Sequence, residues 1–193
     1  GKDLSGLKAL CKVLPTLKHP ISLNLANCGL GVAEVAEVAA TMQTGAAVAR
    51  LILNKNPLTG GRRDSDIDTD ITGITALCDT LKTSSVTELD LSECMLGPGS
   101  LGKLAEYVRE ATAAVARLSL SANFITGSKE KDYRGSGRWE YDVDLSGLIL
   151  LCDALLTLKN PIELDLSNCG LSVNGVNPIA KAISAGAAVE AIA

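Results

Sequence analysis

The sequence predicts an α/β protein in which short parallel strands lie edge to edge, with a helix following each strand. Three observations lead there. A strand-like frame returns along the chain: Val48-Ala-Arg-Leu51-Ile-Leu53-Asn-Lys-Asn56-Pro-Leu58, then Val86 to Leu96, Val115 to Ile125, Ile21 to Leu30 and Ile162 to Leu171. After each copy the apolar residues switch to helical spacing. The second frame position falls at Leu23, Leu51, Leu89, Leu118, Leu164 and Ile192, giving steps of 28, 38, 29, 46 and 28 residues. A strand of about four residues and a helix of about three turns cannot bury their apolar faces alone, so such units must stack and share one core.

The chain opens on Asp3-Leu-Ser-Gly-Leu7, where Asp and Ser supply N-cap chemistry for a helix with Leu7, Leu10, Cys11 and Leu14 on one face. The helices that follow carry Val35, Val38, Ala39, Met42; Ile74, Leu77, Cys78, Leu81; Leu101, Leu104, Ala105, Val108; Leu148, Leu151, Cys152, Leu155; and Val176, Ile179, Ala180, Ile183. In every strand the period of two turns a pair of leucines, such as Leu51 and Leu53, toward those helices. The two long steps hold inserts at residues 60–69 and 127–143. After each the same helix start returns, as Asp70-Ile-Thr-Gly-Ile74 and Asp144-Leu-Ser-Gly-Leu148. The chain ends inside a strand at residues 189–193, an edge open to self-association.

The frame L-x-x-L-x-L-x-x-N/C-x-L, with Cys28, Asn56, Cys94, Asn123 and Cys169 alternating at one position, resembles the leucine-rich repeat family over essentially the whole chain. The 28–29-residue strand-plus-helix unit is similar to the ribonuclease-inhibitor type. The resemblance implies a right-handed α/β horseshoe solenoid with a parallel sheet on the concave side and helices on the convex side. Residues 1–193 then form a single leucine-rich repeat domain of about five repeats and a partial sixth, cut from a longer array. The resemblance also implies docking on the concave face, and in some relatives a GTPase-activating role.

Composition narrows the function classes. Hydrophobic residues make up 47% of the chain and aromatics only 3%, so the core is aliphatic and thin-layered. The net charge of −4, with both signs interleaved, argues against a nucleic-acid groove. No apolar run approaches the ~20 residues that span a bilayer. Of six cysteines, three sit at the N/C position and three inside helices. Equivalent positions two units apart stand ~10 Å apart, too far for a disulfide. All are therefore expected to be small buried thiols in a cytoplasmic, reducing compartment.

Candidate binding residues fall in two places. One row alternating with the strand leucines reads Ser22, Arg50, Glu88, Arg117, Glu163, Glu190, and the next contains Asp90, Ser119 and Asp165. These rows either neutralise themselves across neighbouring strands or form a polar recognition surface. The second insert gathers Tyr133, Arg134, Arg138, Trp139 and Tyr141, residue types enriched at binding hot spots. Trp139 and Tyr141 either tack the loop onto its own unit or anchor a partner.

Asp64, Asp66 and Asp68 alternate as calcium ligands do, but Thr69 stands in place of the loop glycine and no acid stands at the closing position. Aligning the inserts puts Glu140, Asp142 and Asp144 opposite Asp66, Asp68 and Asp70. Gly97-Pro-Gly99-Ser-Leu-Gly102 spells a dinucleotide fingerprint, yet no acid ends the next strand, and the stretch reads as a turn. With His19 the lone histidine, metal and catalytic constellations lack parts. The expected function is a non-enzymatic protein-binding module without cofactor. The alternatives are a calcium-responsive regulator and a GTPase-activating-type regulator.

Overall fold

The computed structural model describes residues 4–61, 66–130 and 139–193. Its main sheet is built from β1 (Ile21–Asn24), β2 (Val48–Ile52), β3 (Glu88–Asp90), β4 (Arg117–Ser119), β7 (Ile162–Asp165) and β8 (Val189–Ile192). All are parallel, and they lie side by side in chain order. Six α-helices alternate with them among the described residues: α1 (Ser5–Val13), α2 (Val32–Gln43), α3 (Thr72–Leu81), α4 (Pro98–Glu110), α5 (Ser146–Leu155) and α6 (Val173–Ser184). The second insert adds a two-stranded antiparallel ribbon, β5 (Lys129–Glu130) with β6 (Trp139–Glu140).

The register follows the leucine frame. Leu23 pairs with Leu51, Leu51 with Leu89, Leu89 with Leu118 and Leu118 with Leu164. Because side chains alternate along a strand, this register sends every frame leucine to one face, where it meets the helices in a single hydrophobic cluster running from Leu14 to Ala182. Each fully buried leucine contributes roughly 1.5–3 kcal/mol. The opposite face of the sheet carries the polar rows to solvent.

Asparagine and cysteine at the frame's turn tie each unit to the one before it. Asn56 donates through Nδ2 to the carbonyls of Leu53 (2.7 Å) and Leu25 (2.9 Å), and its Oδ1 accepts from Leu30 N–H (2.9 Å). Asn123 repeats the arrangement with Leu120, Leu91, Cys94 and Leu96. Cys94 and Cys169 donate their thiols to Leu53 and Leu120 of the preceding unit.

All six cysteines are free, and five are buried. Burial pushes Cys78 and Cys94 up to about 12 and Cys152 and Cys169 up to about 11, so those four stay protonated thiols at neutral pH. Cys28 departs from the expected burial and is exposed. It lies after β1, the edge strand of the sheet among the described residues, where no described strand lies beyond it to cover the thiol.

Two further expectations need correction. Glu190 does not continue the Arg50–Glu163 row; the register shifts at the start of β8, and Ala191 stands opposite Glu163. On α6 the buried face is Gly175, Ile179 and Ala182, while Val176 and Ile183 are 48% and 44% exposed. No described helix packs on the outer flank of α6, which leaves that side of its apolar stripe uncovered. No described helix is long and apolar enough to cross a membrane.

Candidate functional site

Two adjoining surfaces hold the described candidate residues. The first is the open face of the sheet. A hollow of about 320 Å³ lies over β2, β3, β4, β7 and β8, lined by Arg50, Glu88, Asp90, Arg117, Glu163 and Asp165. Parallel register places Arg50 beside Glu88 and Arg117 beside Glu163, and both pairs form ion pairs, the first at 3.4 Å. Lys55 and Glu93 make a third cross-strand pair at the turns, at 3.5 Å. These side chains are about half exposed, so each pair stabilises by roughly 0–1 kcal/mol.

Within the next row no arginine or lysine among the described residues forms an ion pair with the carboxylates. Asp90 accepts from Ser92 N–H (3.0 Å) and Oγ (2.7 Å), and Asp165 accepts from Ser167 N–H (2.9 Å) and Oγ (2.7 Å). Ser119 lies between them, within hydrogen-bond distance of Ser92 Oγ (2.8 Å) and donating to Asp165 Oδ2 (3.2 Å). Partial burial raises the Asp165 carboxyl, but the Ser167 and Ser119 bonds outweigh it and hold the group below the usual carboxylate value.

The second surface is a cleft of about 370 Å³ over the turns that follow β4 and β7, walled by Trp139, Tyr141, Phe124, Ala122, Asn168 and Gly170. Trp139 and Tyr141 stack with ring centroids 6.4 Å apart and planes 25° from parallel. Trp139 opens β6 and Tyr141 follows directly after that strand, two residues on. They remain 43% and 51% exposed. Tyr133, Arg134, Arg138 and Asp64 lie outside the described residues.

What holds the inserts in place is chemistry the sequence reading aligned but did not assign. Each insert is closed at its base by a backbone bond, from Asp70 N–H to Thr59 O (3.1 Å) and from Asp144 N–H to Thr126 O (2.9 Å). Ten or more residues thus enter between strand and helix without disturbing the stack. Asp70 and Asp144 accept from Thr72 and Ser146 at the starts of α3 and α5, and those bonds lower both carboxyls.

Asp68 and Asp142, both in the left-handed region at φ 53° and 54°, reach forward instead. Asp68 accepts from Gly97 N–H (2.9 Å), Ser100 N–H (2.9 Å) and Ser100 Oγ, at the N-terminus of α4. Asp142 accepts from Ser172 N–H (3.1 Å), Gly175 N–H (2.8 Å) and Ser172 Oγ, at the N-terminus of α6. A carboxylate there satisfies orphan donors and complements the helix dipole. Among the described residues helix α2 has no such acceptor from another unit and uses its own Glu34, which accepts from Gly31 N–H (2.8 Å).

The same contacts explain the glycine-rich stretch at α4. A Cβ on Gly97 would lie 2.3 Å from Ile67 and 2.7 Å from the Asp68 carboxylate. Glycine there admits the first insert, and the Asp68 carboxylate takes the N–H groups that a bound phosphate would need. Asp68 is thereby committed to α4. Among the described residues no cluster of three His, Cys, Asp or Glu could hold a metal ion.

No protein-family model matches the chain. A search of curated proteins likewise returns no match.

Proposed function

We propose that this chain is a leucine-rich repeat solenoid of the ribonuclease-inhibitor-like type, a single domain of about five repeats and a partial sixth, that binds a protein partner without catalysis. The sheet would form its concave side and the helices its convex side. The partner would lie along the open sheet face and close over the aromatic ribbon. The observation that carries this reading is the exposed, stacked Trp139–Tyr141 pair beside a solvent-facing sheet whose charged rows line a hollow. Large aromatic rings left in water next to a broad polar face are the anchors that interfaces use, since they bury much area at little conformational cost.

The rows of Arg50, Glu88, Arg117 and Glu163 would set orientation rather than affinity, because exposed pairs exchange partners at little net gain. The cysteine chemistry fits a reducing compartment, which would make the protein cytoplasmic.

The test is capture of the partner by photocrosslinkers placed in the two inserts, followed by affinity measurement with Trp139→Ala. A loss of about tenfold or more, with an unchanged circular dichroism spectrum, is expected. Full affinity in that variant would reject the ribbon as the anchor.

A further inference from the structure

We propose that the segment docking on this surface is cationic, with its lysine or arginine side chains meeting Asp90 and Asp165 and then stacking on the Trp139–Tyr141 pair. The inference rests on the docking reading above and names the chemistry of the partner. Charge decides its sign. The hollow is lined by two arginines against four carboxylates. Both arginines are already engaged, Arg50 with Glu88 and Arg117 with Glu163. An acidic segment would have to break those pairs and still face two carboxylates that no cation among the described residues pairs with.

Asp90 and Asp165 are those two, and among the described residues their carboxylates accept hydrogen bonds from serines alone. A hydroxyl or amide donor orients a carboxylate and leaves its charge in place. The two stand in one row on either side of Ser119, so they lie ~10 Å apart across the sheet. That separation matches side chains spaced along one bound segment.

The aromatic cleft is independent of this charge and favours the same occupant. It begins at the turns after β4 and β7, where Asn168 is three residues beyond Asp165. The faces of tryptophan and tyrosine carry negative electrostatic potential and attract guanidinium and ammonium groups, tryptophan most strongly. A segment laid from the hollow into the cleft therefore meets cation-binding groups in both places.

Trp139 is the only tryptophan, so its emission reports occupation of the cleft. The experiment titrates the full chain with three peptides: alternating lysine and serine, alternating glutamate and serine, and glycine with serine. The lysine peptide is expected to change Trp139 emission with an affinity about tenfold or more above the other two, and to weaken as salt is raised. Asp90→Asn with Asp165→Asn keeps an acceptor oxygen for the serine bonds while removing the charge. That double variant is expected to lose about fivefold or more for the lysine peptide alone.

Equal binding of the glutamate or uncharged peptide overturns the cationic assignment while leaving a docking surface. So does unchanged binding of the lysine peptide by the double variant. Silence toward all three peptides overturns it too, and the crosslinking capture then decides the docking reading by itself.

Discussion

The two inserts are built alike at the base and differ at the tip, and the contrast separates what the stack requires from what a partner would use. Both leave the chain after a buried threonine, close with a backbone bond to an Asp, and cap their own helix with that Asp. Both send a second Asp, in the left-handed conformation, to the N-terminus of the next unit's helix. Beyond this shared clamp the first insert lays Ile67 against α4, while the second extends into a ribbon and holds two stacked rings in solvent. The clamp explains why either loop can be there. Only the ribbon needs a further reason.

The comparison can be broken most forcefully at the glycines beneath the clamps. Gly97→Ala and Gly175→Ala place a Cβ at 2.3 Å from Ile67 and 2.5 Å from Asp142 Oδ1 respectively. Each should destabilise by about 2–3 kcal/mol, since the clamp must withdraw or the helix must shift. Urea denaturation would show it, and a neutral result at either site would mean that its clamp is not held in solution.

Removing the clamps themselves should cost less. Asp68→Ala and Asp142→Ala each leave two helix N–H groups without their carboxylate, for a loss of about 1–2 kcal/mol. The two losses should agree within about 0.5 kcal/mol if the inserts are equivalent at the base. A large disparity in the denaturation midpoints would show that one insert is tied down elsewhere.

The smallest effect is in acid. Asp70 and Asp144 titrate below the ordinary aspartate value because hydrogen bonds from Thr72 and Ser146 favour the charged form, so their contribution is complete above about pH 3.8. It is lost as pH falls through the lowered folded value, where protonation favours the unfolded chain. Asp70→Asn and Asp144→Asn should flatten that acid limb by similar small amounts in pH-dependent denaturation. Unchanged limbs would mean that these caps do not form in solution.

Much of this architecture could be read from residue order, because its determinants are local and repeated. The frame leucines set strand register, and the i, i+3, i+4, i+7 faces of α2 to α5 match the buried residues. Aligning the inserts on their glycines also put Asp68 opposite Asp142 correctly. What those two residues do was hidden, since Asp68 meets donors 29 and 32 positions away and such a cap has no local signature.

The misplaced residues share another cause. Cys28, Val176 and Ile183 lie at the two ends of the stack, where a neighbour that every interior unit has is missing from the described chain. Glu190 was assigned one position early, since the frame that puts Arg50 just ahead of Leu51 puts Ala191 just ahead of Ile192. Tyr107, wholly buried on α4 with its hydroxyl unpaired among the described residues, falls outside the Leu101, Leu104, Ala105, Val108 spacing, so the periodicity carries no sign of its burial.

The most direct measurement pairs stability with partner binding in Trp139→Ala and Asp142→Ala. Trp139→Ala should keep its urea midpoint within about 0.5 kcal/mol of the parent while losing about tenfold or more in affinity for the captured partner. Asp142→Ala should lower the midpoint. A Trp139→Ala protein that unfolds early yet binds as well as the parent would contradict the reading, because the ring would then be fastening the loop rather than waiting for a partner.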